Sequence, residues 1–114
     1  MKIAIVGTGY VGLITGVVLA DIGHEVICCD NDKEKIKILK SGRCPIYENG
    51  VEELMKKNKM RLHYTTDCEN AYSTSDIIFI AVGTPEREDG SANLDYVYSV
   101  CNQIAYSIQK IVLS

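Results

Sequence analysis

Three glycines near the start of the chain have the spacing of a phosphate-binding turn. Gly7, Gly9 and Gly12 follow the pattern G-x-G-x-x-G, directly after the apolar run 3–6. In such a turn the first glycine permits a sharp exit from a strand, and the second leaves room for a pyrophosphate. The third lets a helix pack close to the sheet. This spacing indicates the binding of a dinucleotide, with its phosphates held at the N-terminus of a helix.

An acidic residue after the next apolar segment supports this interpretation. Asp30 follows segment 25–29, roughly 20 residues beyond the glycines, where a carboxylate accepts hydrogen bonds from the ribose hydroxyls of NAD. The same carboxylate repels the 2′-phosphate of NADP, so we expect NAD to be preferred. Lys35 lies in the first turn of the following helix, which borders the ribose, although a lysine there is more commonly part of a solvated face. The alternative is a glycine-rich turn that binds no ligand.

The elements that must position these residues alternate between short apolar strands and amphipathic helices. This alternation predicts an α/β fold, a Rossmann-like doubly wound parallel sheet with helices on both faces and the strand order 3-2-1-4-5. We interpret residues 1–114 as one domain. Periodicity and turn signals predict strands at 3–6, 25–29, 62–65, 76–82 and from 110 onward, and helices at 11–22, 31–40, 51–59, 67–75 and 94–109.

The apolar segment 76–82 predicts a second part of the site. Its pattern is typical of a fully buried parallel strand, and Gly83-Thr84-Pro85 ends it abruptly. Ligands of open α/β sheets bind beyond the carboxyl ends of the strands, where the strand order reverses. We therefore expect Val82, Gly83 and Thr84 to face the cofactor, with a simple turn-capping role as the alternative for Thr84. The polar segment 86–93 is expected to be a mobile loop.

Composition excludes several other classes of protein. The chain has 114 residues, of which 46% are hydrophobic and 24% charged, as in ordinary globular domains. Its formal net charge of −3 and the absence of a basic run argue against nucleic acid as a partner. The uncharged segment 3–20 is long enough to suggest a membrane span, but glycines and threonines interrupt it. We expect a cytoplasmic protein that does not insert into membranes.

The cysteines and histidines do not form a recognisable reactive or metal-binding pattern. The five cysteines show no C-x-x-C or Cys/His cluster, so no metal site is expected. We interpret them as reduced thiols that mostly pack as small hydrophobic side chains, with Cys28 and Cys29 on opposite faces of a strand. His24 and His63 are expected to be structural or exposed, because no acid is spaced to form a triad with them. The remaining cysteines are Cys44, Cys68 and Cys101.

Longer motifs carry a more specific resemblance. The segments Gly7–Gly12, Cys44–Glu48 and Ala81–Pro85, followed by 89–97, resemble the N-terminal NAD-binding domain of the UDP-glucose/GDP-mannose dehydrogenase family, and within it the UDP-glucose 6-dehydrogenases. The resemblance covers the whole chain in the right order. It departs at Asn49, where the family often has proline, and at Asn93, where aspartate is frequent. These departures leave the preferred sugar nucleotide open.

The resemblance implies a function for the longer enzymes and a division of roles within them. Members of the family oxidise the C6 alcohol of a nucleotide sugar twice, to the carboxylate, and reduce two NAD. Their catalytic cysteine lies in a later part of the chain, so no catalytic residue is assigned here and we expect NAD binding without turnover. The resemblance adds contacts to NAD by Tyr10 and Val11, besides Asp30, Lys35 and Thr84.

Several alternatives remain open at this point. The parent enzyme is expected to be a UDP-glucose 6-dehydrogenase, but UDP-N-acetylmannosamine and GDP-mannose dehydrogenases share the pattern. Another dehydrogenase with this type of domain is less consistent with the Pro-Ile-Tyr-Glu segment 45–48. A stand-alone NAD-binding module without chemistry is the alternative from a different class. The nucleotide sugar is expected to bind through C-terminal domains, and a homo-oligomer is compatible with the sequence.

Overall fold

The computed structural model describes residues 1–46 and 48–113, the last five of them as backbone. Its strands form one parallel sheet in the order β3-β2-β1-β4. The strands are β1 (Lys2–Val6), β2 (Glu25–Cys29), β3 (Leu62–Thr65) and β4 (Ile77–Ile80). The helices are α1 (Tyr10–Ile22), α2 (Lys33–Lys40), α3 (Val51–Lys57), α4 (Cys68–Thr74) and α5 (Asp95–Leu113). The predicted doubly wound α/β fold is confirmed, and the first four strands have the predicted order.

The central strand β1 separates two hydrophobic cores. Its side chains alternate, so Ile3 and Ile5 face one side of the sheet while Ala4 and Val6 face the other. The first core is completed by buried side chains of α1, α2 and α3, and the second by side chains of α4 and α5. This distribution follows from right-handed crossovers, which place helices on opposite faces when the strand order reverses at β1.

Helix α1 packs unusually close to the sheet. A Cβ atom added at Gly16 would lie 2.8 Å from the Cys28 Sγ atom of β2. The helix ends at Gly23, which adopts φ of +119° and donates its N–H to the carbonyl oxygens of Ala20 and Leu19. The predicted end of the first helix is therefore confirmed, and the close packing fixes the start of α1 against the end of β1.

Two aspartates begin the helices that follow β2 and β3. The Asp32 carboxylate accepts hydrogen bonds from the N–H groups of Glu34 and Lys35, and Asp67 accepts one from the N–H of Asn70. Such caps satisfy backbone donors that the first helical turn leaves free.

The prediction of a strand from residue 110 was wrong. Helix α5 continues to Leu113, and no fifth strand exists in the described part of the chain. The apolar run 111–113 is too short for its pattern to distinguish strand from helix, and no glycine or proline precedes it. Cys101 and Ile108 of this helix are exposed. Its buried residues include Ser107, a polar residue that a hydrophobic pattern does not reveal.

The prediction that the fourth strand is fully buried was also wrong. Ile77, Phe79 and Ile80 are 40%, 42% and 37% exposed, because β4 forms the edge of the sheet in the described residues. Ile77 and Phe79 pair with Ile3 and Ile5, so they lie on the same face of the sheet as α1. Burial of this strand depends on neighbours that a sequence pattern does not specify.

The segment 86–93 forms a small hairpin rather than the loose loop that its polarity predicted. Glu86 and Ala92 form an antiparallel bridge, and the N–H of Arg87 donates to the carbonyl oxygen of Ser91 at 2.7 Å. Gly90 allows the turn with φ of +88°. Across the described residues, no helix has both the length and the apolar character needed to span a membrane.

Candidate dinucleotide site

The turn after β1 requires glycine at its first position. Gly7 has φ of +101°, and a Cβ atom there would lie 2.6 Å from the carbonyl oxygen of Ala81. Its N–H donates to the carbonyl oxygen of Cys29 at 2.8 Å, which ties the turn to the end of β2. Both the backbone conformation and the close approach of the segment after β4 therefore exclude a side chain.

The third glycine of the motif brings α1 against this turn. A Cβ atom at Gly12 would collide with the carbonyl oxygen of Gly7 and would lie 3.2 Å from the Ala81 Cβ atom. The predicted packing role of this glycine is thus visible in the structure. It allows the helix N-terminus, the turn and the segment after β4 to converge.

The second glycine has no comparable internal reason to be glycine. Gly9 has φ of −72°, and an added Cβ atom would meet no atom within 4 Å. It is the N-cap of α1, where it forms no side-chain hydrogen bond, and the first turn of that helix carries no acidic residue. The free N–H groups and the space above them suit an anionic group, so the local geometry fits a pyrophosphate.

The carboxylate of Asp30 lies directly beside the glycine turn. Its Oδ2 atom accepts hydrogen bonds from the Thr8 N–H at 2.9 Å and the Thr8 hydroxyl at 2.8 Å. Its Oδ1 atom accepts the Asp32 N–H at 2.9 Å. Each carboxylate oxygen has two acceptor positions, so Oδ1 can accept a further hydrogen bond from a hydroxyl group.

These contacts keep Asp30 ionised. Burial acts to raise the pKa of this carboxyl, but the hydrogen bonds from Asp32 and Thr8 and the charge of Lys35 outweigh it, so the pKa lies below its usual value. The group is therefore a hydrogen-bond acceptor at neutral pH and not a proton donor. An ionised acceptor is what the predicted contact with a ribose hydroxyl requires.

Thr8 is the site residue that sequence reasoning missed. It is only 1% exposed, and both its N–H and its hydroxyl bind Asp30. The motif treats this position as variable, and its partner follows 22 residues later along the chain. A hydroxyl residue between the two glycines was the available signal, because a buried hydroxyl needs a partner.

The first turn of α1 presents two exposed side chains. Val11 is 68% exposed and Tyr10 is 54% exposed, although both belong to a helix that packs on the sheet. The Tyr10 hydroxyl donates to Glu48 Oε2 at 3.2 Å, and this hydrogen bond with the Glu48 carboxylate raises the pKa of the tyrosine. The loop that follows α2 is thereby connected to the open side of the glycine turn.

The remaining predicted residues lie at the same edge of the sheet. The Ala81 N–H donates to the Val6 carbonyl oxygen at 2.8 Å, so the segment after β4 runs beside the glycine turn. Val82 is half-buried in the second core, whereas Gly83 and Thr84 are exposed. Lys35 is half-buried at the start of α2, on the side of Asp30. The predicted site residues thus cluster around the carboxyl ends of β1, β2 and β4.

In the part of the chain that the structure describes, the other ionisable groups form no comparable site. The described residues contain no cluster of three or more His, Cys, Asp or Glu side chains that could hold a metal ion. Burial raises the pKa of the Cys28 thiol to about 12. His63 lies 3.4 Å from Glu25 in an exposed pair, and His24 is half-buried. Cys28 and Cys29 belong to different cores, so the prediction that they face opposite sides of β2 is confirmed.

Comparison with known proteins identifies the family. Residues 1–113 match the profile described as "UDP-glucose/GDP-mannose dehydrogenase family, NAD binding domain". The chain belongs to this family. The UDP-glucose/GDP-mannose dehydrogenase profile covers the glycine turn, Asp30 and the segment 82–84 together, and it makes NAD the cofactor of the domain.

Individual members of the UDP-glucose/GDP-mannose dehydrogenase family agree in sequence and fold. A UDP-glucose 6-dehydrogenase of Rhizobium meliloti is 49% identical over 112 residues, which are 96% of this chain and 26% of that protein. A UDP-glucose 6-dehydrogenase of Bacillus subtilis is 48% identical with the same coverage. The structure of a ternary complex of GDP-mannose dehydrogenase from Pseudomonas aeruginosa superposes with a TM-score of 0.90 at 41% identity, covering 95% of this chain and 25% of that one. The chain therefore spans about a quarter of the length of these relatives.

Proposed function

We propose that this chain is the NAD-binding part of a UDP-glucose 6-dehydrogenase. The observation that carries the proposal is the junction of the glycine turn with Asp30, in which Thr8 fixes an ionised carboxylate beside the free start of α1. The relatives with 48% and 49% identity are UDP-glucose 6-dehydrogenases, which favours that substrate for the longer protein. UDP-N-acetylmannosamine and GDP-mannose remain alternative substrates, since solved dehydrogenases for both match the fold.

Each part of the site has a distinct binding role in this proposal. The N–H groups at the start of α1 bind the pyrophosphate, next to the space that Gly9 leaves open. The free acceptor position of Asp30 binds a ribose hydroxyl, with Lys35 nearby. Val11 on α1 and Thr84 after β4 contact the cofactor from either side of the turn. When bound, NAD supplies the hydride acceptor for oxidation of an alcohol.

Oxidation of an alcohol requires other groups besides those that bind NAD. An alcohol must be held against the nicotinamide, and a positioned base must take up its proton. The residues described above bind and orient a dinucleotide, and none is placed as such a base. We therefore expect the chain to bind NAD without oxidising a nucleotide sugar.

The test combines calorimetry with an activity assay on the purified chain. We expect NAD to bind and NADP to bind more weakly, because the Asp30 carboxylate repels a 2′-phosphate. We expect no NADH absorbance to appear with NAD and UDP-glucose, UDP-N-acetylmannosamine or GDP-mannose. Equal binding of NADP would contradict the assignment of Asp30, and steady NADH formation would overturn the expected lack of turnover.

A stand-alone NAD-binding module is the second candidate function. Such a module would have the same cofactor site as the first candidate. The two differ in whether the protein also contains a substrate domain. The reading frame of the gene distinguishes the two, since a continuation that encodes a substrate domain excludes the stand-alone module. Turnover by the longer product with each of the three nucleotide sugars then identifies the substrate.

A further inference from the structure

Two cysteines from different elements meet beside the dinucleotide site. Cys29 is the last residue of β2 and is buried, whereas Cys68 is the first residue of α4 and is half-buried. Cys68 packs against the core that contains Cys29, and Cys29 lies opposite Thr65 in the sheet, only three residues before Cys68. Both are free thiols, and neither has a role in the binding of NAD as proposed above.

The two sulfur atoms have different environments. Interaction with Cys29 is the largest influence on Cys68 and lowers its pKa, although burial opposes this effect. The same interaction, together with burial, raises the pKa of Cys29. Cys68 is the less buried of the two thiols, and its pKa is the one that is lowered. It is therefore the sulfur that forms a thiolate within reach of a small molecule in solution.

The backbone of Cys29 is connected to both halves of the dinucleotide site. Its carbonyl oxygen accepts the N–H of Gly7 at 2.8 Å. The next residue is Asp30, whose N–H donates to the Thr65 carbonyl oxygen at 3.2 Å and whose carboxylate holds Thr8. A displacement of Cys29 therefore moves the glycine turn and the ribose acceptor together.

We propose that Cys29 and Cys68 form a reversible disulfide that weakens the binding of the dinucleotide. The oxidant is a peroxide. The Cys68 thiolate attacks the O–O bond of hydrogen peroxide and takes one oxygen, which gives a sulfenic acid and releases hydroxide. Cys29 then loses its proton and attacks the Cys68 sulfur, so an S–S bond forms and the S–O bond breaks. Two thiols and one peroxide give one disulfide and two waters.

The effect on binding follows from the packing around Cys29. A disulfide requires the two sulfur atoms to approach to roughly 2 Å, closer than two thiols in contact. Cys29 is fully buried and its backbone is bonded to Gly7, so we expect this approach to draw the end of β2 toward α4 and to shift Gly7 and Asp30. We expect the affinity for NAD to fall by about tenfold, as for the loss of one or two hydrogen bonds. This part of the proposal rests on the proposed function.

The experiment uses the full chain with Cys101→Ser, which removes an exposed thiol that could link two molecules. The protein is treated with hydrogen peroxide, digested without reductant, and examined by mass spectrometry for linked peptides. NAD affinity is measured by calorimetry before oxidation, after it, and after addition of dithiothreitol. Cys68→Ser is the test variant. Cys44→Ser, which removes another half-buried thiol, is the matched control.

We expect a Cys29–Cys68 linkage in the parent and in Cys44→Ser, a weaker affinity after oxidation, and recovery with dithiothreitol. Cys68→Ser should form no linkage and keep its affinity for NAD in peroxide. A different linkage, or oxidation of Cys68 without a linkage, would overturn the disulfide. A linkage that leaves the affinity unchanged would overturn its effect on binding. If the reduced protein does not bind NAD, the proposed function fails, while peptide mapping still decides whether the disulfide forms.

Discussion

Asp30 combines a structural role with its proposed role in binding. Its carboxylate accepts three hydrogen bonds in the protein, from the N–H and hydroxyl of Thr8 and from the N–H of Asp32. These bonds join the glycine turn to the start of α2 and leave an acceptor position of Oδ1 for a further hydrogen bond. The same residue therefore stabilises the turn and, in the proposed function, determines which cofactor binds.

This double role predicts a pH dependence of stability. The pKa of Asp30 is lower in the folded protein than in the unfolded chain, so the carboxylate stabilises the fold at neutral pH. Its contribution begins to fall below the unfolded pKa of about 4 and is lost as the pH drops through the lower folded pKa. In urea unfolding at several pH values, the free energy of unfolding of Asp30→Asn should decrease less in acid than that of the parent. Asp95→Asn, which removes an exposed carboxylate on α5, serves as the control. Parallel profiles of Asp30→Asn and the parent would contradict this role.

The strands and helices show which parts of the fold are predictable from local sequence. Strands β2 and β3 have the predicted bounds, and α1 ends at the predicted glycine, because short apolar runs and turn residues specify them locally. The end of α5 and the exposure of β4 depend on which elements lie beside them, and periodicity does not contain that information. Thr8 was missed for the same reason, since its partner is distant in sequence.

Gly9 and Gly12 at the start of α1 have different roles, and replacing each of them with valine distinguishes these roles. Gly12→Val should cost about 1–3 kcal/mol or more of unfolding free energy, because its Cβ atom collides with the Gly7 carbonyl oxygen. Gly9→Val should cost less, about 1 kcal/mol for a poor N-cap, since its Cβ atom meets no protein atom. It should nevertheless lose most of its affinity for NAD, because the side chain occupies the space of the pyrophosphate.

Urea unfolding and calorimetry with NAD measure the two effects separately. A Gly9→Val variant that binds NAD as tightly as the parent would show that the phosphate lies elsewhere. A Gly12→Val variant as stable as the parent would contradict the steric argument for close packing of α1. The comparison is informative because both glycines flank the same helical turn and receive the same side chain.

At the scale of the whole molecule, the sheet is covered unequally. Three helices cover the side of β1 and β2 that faces α1, and two helices cover the opposite side. The α1 side of β4 is left open, with Ile77 and Phe79 exposed at 40% and 42%. Helix α1 adds further exposed apolar residues to the surface of the domain, among them Val18 and Ile22. Both the site and this open face belong to a domain that spans about a quarter of the length of its relatives.

The open edge of β4 predicts self-association of the isolated chain. An exposed apolar strand without a partner on its outer side pairs readily with another strand. In the described residues, β4 pairs only with β1.

Sedimentation velocity at increasing concentration should show a shift from monomer to dimer. Phe79→Lys should reduce the shift, because it places a charge on the open face beside the edge. Met60→Lys is the control, since Met60 is 87% exposed in the turn between α3 and β3. A monomer at every concentration, or equal effects of the two substitutions, would show that this edge does not mediate association.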